Sequence, residues 1–347
     1  MKSIEERIYH VKGDSPYQIG QQIGRRMGER LQENIRHYIR RRPLADEVVD
    51  MGKLQAGALP WMRSLPNRFQ EELEGLAQGA GIPLQTVAEW TYLEELLAMN
   101  CSAAICTFDG QAWIARNNDT LVPKAWGYVT IREISGLIPT ISFGLEGDVF
   151  TPTGINQERL WLHYNYLPAW DKPAPGKTSM PAYAFIQLAL ETCHSLADLE
   201  GKLEEIDRSD GMLLFAVDGK NNRFVVYECT CGEHARIDPS GDWLAGTNHH
   251  CRFQAPEDIQ TSAGNSILRL ERMNELIGNL YTPEKPKQLP WSLVEILGDE
   301  IIERRGIDMA TAYANVACPA RGELWYTFGG LPAASQGNWQ RLPWPWD

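Results

Sequence analysis

The dipeptide Asp109-Gly110 is the feature that most restricts what this chain can fold into. It lies between two runs of mostly apolar residues, Ala103 to Phe108 and Gln111 to Arg116. Asp-Gly suits a type I′ turn, in which both central residues have positive φ, so the two runs are predicted to pair as an antiparallel hairpin. A two-residue turn also sets the register, because residue 108 must then face residue 111.

That register brings a cysteine next to a polar run. Cys101 falls opposite Asn118, within the run Arg116-Asn117-Asn118-Asp119. Because successive side chains of a strand alternate between faces, we expect Cys101, Arg116 and Asn118 on one face and Asp119 on the other. Asp119 could reach the sulfur through strand twist or a bulge, or could instead bond the backbone nitrogen of Cys101.

Such a neighbourhood can make a cysteine nucleophilic. A thiol attacks carbonyl groups as its thiolate, and the guanidinium of Arg116 would favour that form. If the peptide bond before Cys101 were cut, the freed α-amino group, with a usual pKa of about 8, would supply a base on the nucleophile itself. From the hairpin alone, Cys101 as one more small apolar residue at a strand start is an equally good interpretation.

The first hundred residues are predicted to be helical. Ser15-Pro16 offers a helix cap followed by proline at the first helical position. Apolar residues then recur every four positions along one side of this helix: Ile19, Ile23, Met27, Leu31 and Ile35. A neighbouring stripe, Gly20, Gly24 and Gly28, predicts close approach of another backbone, since glycine weakens a helix. Further helices are predicted over 67–79 and 83–99.

Beyond residue 100 the pattern changes to hairpins. Strand pairs are predicted at 128–134 with 140–145, within 212–230 and within 311–328, with a further strand at 160–166. Helical stretches interrupt them at 181–193, 196–206, 265–280 and 291–300. Hairpins joined by helices imply an α+β fold in which two antiparallel sheets stack between helical layers. We predict an N-terminal helical segment over 1–100, a pro-region or small subunit, and a core over 101–347.

Charge and cysteine content exclude several classes of protein. The net charge of −12 repels phosphate, and the one basic run, at 36–43, is short. The start of the chain lacks an apolar signal region, and no eighteen apolar residues run together. Seven cysteines, an odd and scattered number, fit reduced thiols. We therefore expect a cytoplasmic protein that binds neither nucleic acid nor membrane, in an oligomeric state that the sequence leaves open.

Two other chemistries have weaker support in the sequence. Cys229-Thr-Cys231, with His234 nearby, lacks the two-residue gap of zinc ligands and has no second pair, so core packing is the better interpretation and no metal is predicted. A Cys-His dyad with His249 as base is conceivable, but a polar role at a strand end is favoured.

Asparagines end two further predicted strands, and together with other segments they point to a family. Asn165 and Asn248 carry carboxamide N–H groups, which suit a developing oxyanion, and Arg269 follows Ser266 at helical spacing. With "SPYQIGQQIG", "FQEELEGLAQGAGI" and the Cys101 hairpin, these features make nearly the whole chain similar to the N-terminal-nucleophile hydrolases of linear amides. Within them, the chain most resembles the acyl-coenzyme A:isopenicillin N acyltransferase family and, more distantly, choloylglycine hydrolases and penicillin V acylases.

This resemblance implies both a fold and residue roles. The fold would be a four-layer αββα sandwich, with Cys101 as nucleophile and its α-amino group as base. Asp119 would orient that amine, Arg116 would complete the nucleophile motif, and Asn165 and Asn248 would hold the oxyanion. The substrate-binding residues would be Arg269, Asn117 and His249.

The activity implied by the resemblance is cleavage or exchange of a linear amide through an acyl-Cys101 intermediate, without a cofactor. Relatives that cleave themselves usually carry glycine before the cysteine, whereas this chain has Asn100, so cleavage between Asn100 and Cys101 is a hypothesis. The alternative is an unprocessed, catalytically silent member that binds a small molecule. The partner in either case is a small-molecule amide or acyl donor; acyl-coenzyme A is possible, although the acidic charge does not favour its phosphates.

Overall fold

The computed structural model describes residues 7–37, 50–96, 100–121, 123–261, 264–282, 288–306 and 309–346, and the statements below concern those residues. Most of the basic run at 36–43 and the end of the helix predicted over 83–99 lie outside them. The helices are α1 Pro16–Ile35, α2 Met51–Ser64, α3 Asn67–Ala80, α4 Leu84–Leu96, α5 Ala182–Thr192, α6 Leu196–Glu205, α7 Glu257–Thr261, α8 Gly264–Leu280, α9 Trp291–Leu297 and α10 Ala333–Gln336. None of these helices combines the length and apolar character that a membrane span requires.

The strands include all those predicted from the sequence and several that were not. They are β1 Ile8–Gly13, β2 Ser102–Phe108, β3 Gln111–Thr120, β4 Trp126–Ile134, β5 Thr140–Leu145, β6 Thr153–Asn156, β7 Leu160–Leu167, β8 Ser179–Met180, β9 Asp207–Arg208, β10 Gly211–Asp218, β11 Arg223–Cys229, β12 His234–Ile237, β13 Trp243–Gly246, β14 Ala310–Cys318, β15 Glu323–Phe328 and β16 Asn338–Leu342.

Two compact units emerge from the contacts within the chain. The first comprises Met1–Ala98 and Ala125–Thr151, and the second comprises Met99–Lys124 and Pro152–Asp347. The sequence prediction divided the chain at residue 100, and in the structure the segment Ala125–Thr151 groups with the first unit. The reason is that β4 pairs in parallel with β1, and that buried Arg132 of β4 forms an ion pair with buried Glu72 of α3.

In the first unit, α1 forms as its sequence predicts. The Ser15 hydroxyl accepts a hydrogen bond from the Gln18 backbone nitrogen, which satisfies one of the free N–H groups of the first turn. Pro16 occupies the first turn, where it costs no hydrogen bond. All five residues of the predicted apolar stripe are buried, so burial of this face supplies the main stabilisation of the helix.

The glycine stripe lets α1 approach α3 until their backbones touch. A methyl carbon built at Gly24 would lie 2.7 Å from the backbone nitrogen of Ala80, and one built at Gly79 would lie 2.9 Å from Cα of Gln21. Neither distance occurs between real atoms of this kind, and backbone atoms cannot move aside as a side-chain end can. The predicted close approach of another backbone is therefore confirmed, and α3 supplies it.

Gly24→Ala is accordingly expected to lower the free energy of unfolding by about 2–3 kcal/mol or more, because the helices must separate to admit the methyl group. Gly201→Ala in α6 is the control, since a methyl group there would meet no atom within 4 Å; it should leave stability unchanged or raise it by up to about 1 kcal/mol. Urea unfolding of both variants makes the comparison. Equal stabilities would contradict the packing described here.

The second unit contains two antiparallel sheets. One carries β6-β7-β10-β11-β12 in that order, and the other is ordered β13-β2-β3-β14-β15-β16. The sheets face each other: the Asn165 carboxamide on β7 donates to the Gly246 carbonyl on β13, at 3.0 Å. Helices α5 and α6 lie against the first sheet, and α8 and α9 cover the apolar outer face of the second. This helix–sheet–sheet–helix order is the predicted four-layer arrangement, and the predicted fold class is confirmed.

Candidate active site

The β2–β3 hairpin has the predicted turn and register. Asp109 and Gly110 have φ of 50° and 70°, and Phe108 pairs with Gln111. At the other end Ser102 pairs with Asn117. Cys101, one residue before β2, therefore lies opposite Asn118, as the sequence predicted.

The sulfur of Cys101 is fully buried among three hydrogen-bonding groups. The Arg116 Nη2 atom is 3.4 Å away, and Asn118 Oδ1, a possible acceptor for the thiol proton, is 3.8 Å away. The backbone N–H of Asp119 also donates to the sulfur. Burial raises the pKa of the Cys101 thiol above its usual value, and the positive charge of Arg116 opposes that rise. The predicted shared face of Cys101, Arg116 and Asn118 is confirmed.

Arg116 is held by groups that the sequence analysis did not identify. Its Nη1 atom donates to the Tyr313 hydroxyl, at 3.1 Å, and to Thr153 Oγ1, while Nη2 donates to the Tyr164 carbonyl at 2.8 Å. Tyr313 comes from β14, which pairs with β3, and the other two come from the facing sheet. No motif marks these residues, because their proximity depends on the order of strands in space.

Asp119 lies on the opposite face of β3, as the pleat predicts. Its Oδ1 atom accepts a hydrogen bond from Thr311 Oγ1 at 2.6 Å, and its buried Oδ2 atom has no partner among the described residues. Burial raises the pKa of Asp119 to about 7, although Arg269 lowers it. Its backbone carbonyl accepts from the Asn100 nitrogen at 3.1 Å. The contact of Asp119 with the sulfur runs through its backbone N–H, which is neither of the two routes considered from the sequence.

This raised pKa predicts how stability varies with pH. The folded chain holds the Asp119 proton up to about pH 7, whereas the unfolded chain releases it near pH 4, so the stabilisation from proton binding is present below about pH 4 and lost as the pH rises to about 7. Asp119→Asn keeps an acceptor for Thr311 and cannot ionise. The stability of the wild type relative to Asp119→Asn should therefore fall between about pH 4 and pH 7 and level off above. Urea titrations across this range check it, and parallel curves would contradict it.

Arg269 on α8 donates hydrogen bonds to several groups of the site. Its Nη1 atom donates to the Cys101 carbonyl and to Ser102 Oγ, both at 2.7 Å, and Nη2 donates to Asn248 Oδ1 at 3.0 Å. Its Nε atom donates to Asn265 Oδ1, one turn earlier on the same helix. The sequence indicated only a substrate-binding residue here, but the guanidinium holds the backbone of Cys101 and the carboxamide of Asn248 at once.

Asn165 lies within β7, Asn248 lies two residues beyond β13, and each carboxamide donates a hydrogen bond to the segment that carries the other. Asn165 Nδ2 donates to the Gly246 carbonyl at 3.0 Å, and Asn248 Nδ2 donates to the Tyr166 carbonyl at 2.9 Å. The two carboxamides are therefore fixed relative to each other. An amide nitrogen carries two N–H groups, and these bonds use one from each residue.

The structure places Asn117 away from the Cys101 sulfur. Its Nδ2 atom donates to the Leu297 carbonyl at the end of α9, at 2.8 Å, on the helix-covered face of β3. It therefore anchors a helix, and its position gives no support to the predicted role in substrate binding. The reason is the pleat, which turns residue 117 to the face opposite residues 116 and 118.

His249 lies beside Asn248 and bonds away from the cysteine. Its Nδ1 atom is 2.8 Å from Ser266 Oγ on α8. Burial lowers the pKa of His249, and the charge of Arg269 adds to the effect. No hydrogen bond joins His249 to Cys101 among the described residues, so the geometry does not form the Cys-His dyad that the sequence left open.

No group of three or more potential metal ligands is arranged to hold an ion within the described part of the chain. Cys229 and Cys231 are buried, and burial raises the pKa of both thiols to about 12.

Comparison with protein families identifies the chain. The family model described as acyl-coenzyme A:6-aminopenicillanic acid acyl-transferase matches residues 106–300, more than half of the sequence. The chain belongs to this family. Membership of the acyltransferase family confirms the resemblance drawn from the sequence, and it makes the chain an enzyme of amide bonds, a hydrolase or an acyltransferase. Cys101 lies just before the matched range. Among curated proteins, no sequence matches this chain.

Several solved structures are similar to this member of the acyltransferase family. Conjugated bile acid hydrolase from Clostridium perfringens has a TM-score of 0.48 and 14% identity, over 71% of this chain and 97% of the other. Penicillin V acylase from Agrobacterium tumefaciens has a TM-score of 0.46 and 14% identity, over 70% of this chain and 86% of the other. The N-acylethanolamine-hydrolyzing acid amidase ortholog of Caenorhabditis elegans has a TM-score of 0.47 and 15% identity, over 63% of this chain and 93% of the other.

Proposed function

We propose that the chain is a cysteine amidohydrolase or acyltransferase of the N-terminal-nucleophile type, which acts on a linear amide through an acyl-Cys101 intermediate. The observation that carries the proposal is the guanidinium of Arg116, 3.4 Å from the buried sulfur of Cys101. A fixed positive charge beside a desolvated sulfur favours the thiolate, since charge interactions are strong where water is absent. Family membership supplies the class of bond.

The first step in this proposal is cleavage of the chain itself. The Cys101 thiol attacks the carbonyl carbon of Asn100, the C–N bond breaks, and the acyl group moves from nitrogen to sulfur. Water then hydrolyses the thioester, which leaves a carboxylate on Asn100 and a free α-amino group on Cys101. Arg269 supports the attack because its bond to the Cys101 carbonyl fixes the backbone that carries the sulfur.

Asp119 is positioned to receive the new amine. Its buried Oδ2 atom has no partner among the described residues, which is costly for a carboxyl group unless a donor arrives. The backbone carbonyl of Asp119 accepts a hydrogen bond from the Asn100 nitrogen at 3.1 Å, so Asp119 lies beside the bond that would be cut. We assign Asp119 the role of orienting the α-amino group, with the Thr311 hydroxyl holding its other oxygen.

In the cleaved protein the same groups would carry out turnover of the substrate amide. The α-amino group takes the thiol proton, the thiolate attacks the substrate carbonyl, and the carboxamides of Asn165 and Asn248 donate to the oxyanion. The amine leaves with the transferred proton, and an acyl thioester remains on Cys101. Attack by water releases a carboxylic acid, and attack by an amine releases a new amide. Both outcomes regenerate the thiol, so the acceptor alone decides between hydrolase and acyltransferase.

One alternative has a specific observation in its favour. The sulfur of Cys101 is fully buried, the pKa of its thiol is raised, and the residue before it is Asn100, whose side chain bonds the Met309 sulfur. These features fit an unprocessed member of the family that binds a small molecule without turnover.

Thiol labelling distinguishes the two functions. If Cys101 is the activated nucleophile, iodoacetamide should modify it at least about tenfold faster than Cys106, a thiol equally buried in β2 with no cation among the causes of its raised pKa. Exposed Cys251 gives the rate of an accessible thiol. Peptide mass analysis over a time course measures all three. Equal, slow labelling of Cys101 and Cys106 would favour the silent binding protein.

A further inference from the structure

A cavity of about 330 Å³ opens beside the candidate oxyanion residue Asn248. At about 30 Å³ for each water of the liquid, it has room for a group of roughly eleven heavy atoms. Its eight lining residues, four of them apolar and four polar, include Pro168, Asn248, His249, His250 and Ile267. Ile267 is 41% exposed, so an apolar group in the cavity would cover it.

One guanidinium is bonded both to the cavity wall and to the backbone of Cys101. Arg269 donates to the Asn248 carboxamide with one nitrogen and to the Cys101 carbonyl with the other. The two nitrogens of a guanidinium are close together in a rigid plane, so the wall formed by Asn248 begins near the backbone of the nucleophile. A substrate whose carbonyl reaches Cys101 would extend a neighbouring group into this cavity.

The cavity wall offers no unbalanced charge. None of the eight lining residues is a lysine, arginine, aspartate or glutamate. His250 is bonded on both sides: Nδ1 meets a Glu228 carboxylate oxygen at 3.0 Å and Nε2 meets the Pro168 carbonyl at 2.8 Å. Both nitrogens of this ring are therefore occupied by partners within the protein. A ligand with a net charge would therefore contact no lysine, arginine, aspartate or glutamate side chain in the lining itself.

His249, a residue of the cavity lining, carries a hydrogen-bond acceptor. Thr247 Oγ1 donates to the Ser266 carbonyl, and Ser266 Oγ donates to Thr247 Oγ1. With its proton used, Ser266 Oγ accepts from His249 Nδ1, which assigns the proton of the neutral ring to Nδ1. Nε2 is then an unprotonated nitrogen, and among the described residues it has no hydrogen-bond partner.

From this arrangement we propose that the cavity binds an uncharged, compact apolar group of the substrate, and that His249 Nε2 accepts a hydrogen bond from a substrate N–H. The substrate class is then a neutral secondary amide. An amide that carries a carboxylate, sulfonate or phosphate next to the reacting bond fits poorly. This inference rests on the proposed function for the position of the reacting carbonyl.

The test is a binding titration that is monitored by ligand-observed NMR. Cys101→Ala protein is used so that no probe is consumed. Three amides share one apolar group: N-methylcyclohexanecarboxamide, its N,N-dimethyl analogue without an N–H, and N-cyclohexanecarbonylglycine with a carboxylate. We expect saturable binding of the first, and at least tenfold weaker binding of each of the other two. Absence of binding by the first, or equal binding by all three, would overturn the proposal.

A pair of adjacent variants localises the binding. Ile267→Asp places a carboxylate in the cavity and should weaken binding of the neutral amide at least tenfold, whereas Leu268→Asp, at the next and more exposed position outside the lining, should leave it unchanged. Both residues are solvent-accessible, so both variants should fold, and thermal melts verify it. Equal effects of the two variants would contradict the assigned cavity. Because the probes bind without the thiol, a failure here is distinct from a failure of the nucleophile, which the labelling rates report.

Discussion

Cys101→Ala protein is expected to remain a single uncut chain, whereas the wild type is expected to separate into two chains, one ending at Asn100 and one beginning at Cys101. The reason is that the proposed cleavage needs the sulfur as nucleophile, and alanine has no group that can attack the Asn100 carbonyl. The intact mass of the freshly purified, denatured protein measures this directly. Turnover of any amide substrate should fall at least about a thousandfold in the same variant, because nucleophile and base are lost together.

Cys106→Ala is the matched control for this experiment. Cys106 is equally buried, in the strand β2 that follows Cys101, but packs among the apolar residues beneath α8 and α9. Cys106→Ala protein should therefore be cleaved between Asn100 and Cys101 as the wild type is. Cleavage in Cys101→Ala would contradict the assigned nucleophile, and a single chain in both wild type and variant would contradict self-cleavage under those conditions. Labelling rates would then decide between an unprocessed enzyme and a silent binding protein.

Arg269→Met is expected to produce the second large effect. The change removes the donor from three buried or half-buried acceptors: the Cys101 carbonyl, Ser102 Oγ and Asn248 Oδ1. Each buried acceptor left unpaired costs about 1–3 kcal/mol, so both stability and the alignment of the nucleophile should suffer. We expect kcat/KM to fall about a hundredfold, mostly through kcat, since about 2.7 kcal/mol of transition-state stabilisation corresponds to that factor.

Two further variants distinguish a positioning role of Arg269 from a general loss of protein stability. Arg272→Met alters the same helix less than one turn further on, where Arg272 forms ion pairs with Asp299 and Glu275 outside the site, and it should leave kcat and the Cys101 labelling rate unchanged. Arg269→Lys keeps the charge but cannot span three acceptors as a planar guanidinium does. Relative to Arg269→Met, it should therefore restore more of the free energy of unfolding than of kcat. A normal labelling rate at Cys101 in Arg269→Met would contradict the positioning role.

Local chemistry explains why parts of this structure were predictable. The Asp109-Gly110 turn needs positive φ at two successive residues, and this requirement alone sets the pairing that brings Cys101 beside Arg116 and Asn118. The glycine stripe of α1 predicted a backbone partner for a similar reason, because glycine in a helix is costly unless something fills the space that a side chain would occupy.

Other features depend on which strands and helices become neighbours in space. The sequence indicated a helical arginine at 269 but not that it holds the Cys101 carbonyl, because α8 is separated from the hairpin by more than 140 residues. The Tyr313 and Thr153 hydroxyls that hold Arg116 carry no local signal either. Turn and pleat geometry act over a few residues, so the sequence by itself determined the hairpin, its register and the faces of its side chains. Strand order and helix docking follow from burial of apolar surface across the whole chain, so only the tertiary structure decided which groups surround the sulfur, that Asn117 anchors α9, and where the cavity beside Asn248 lies.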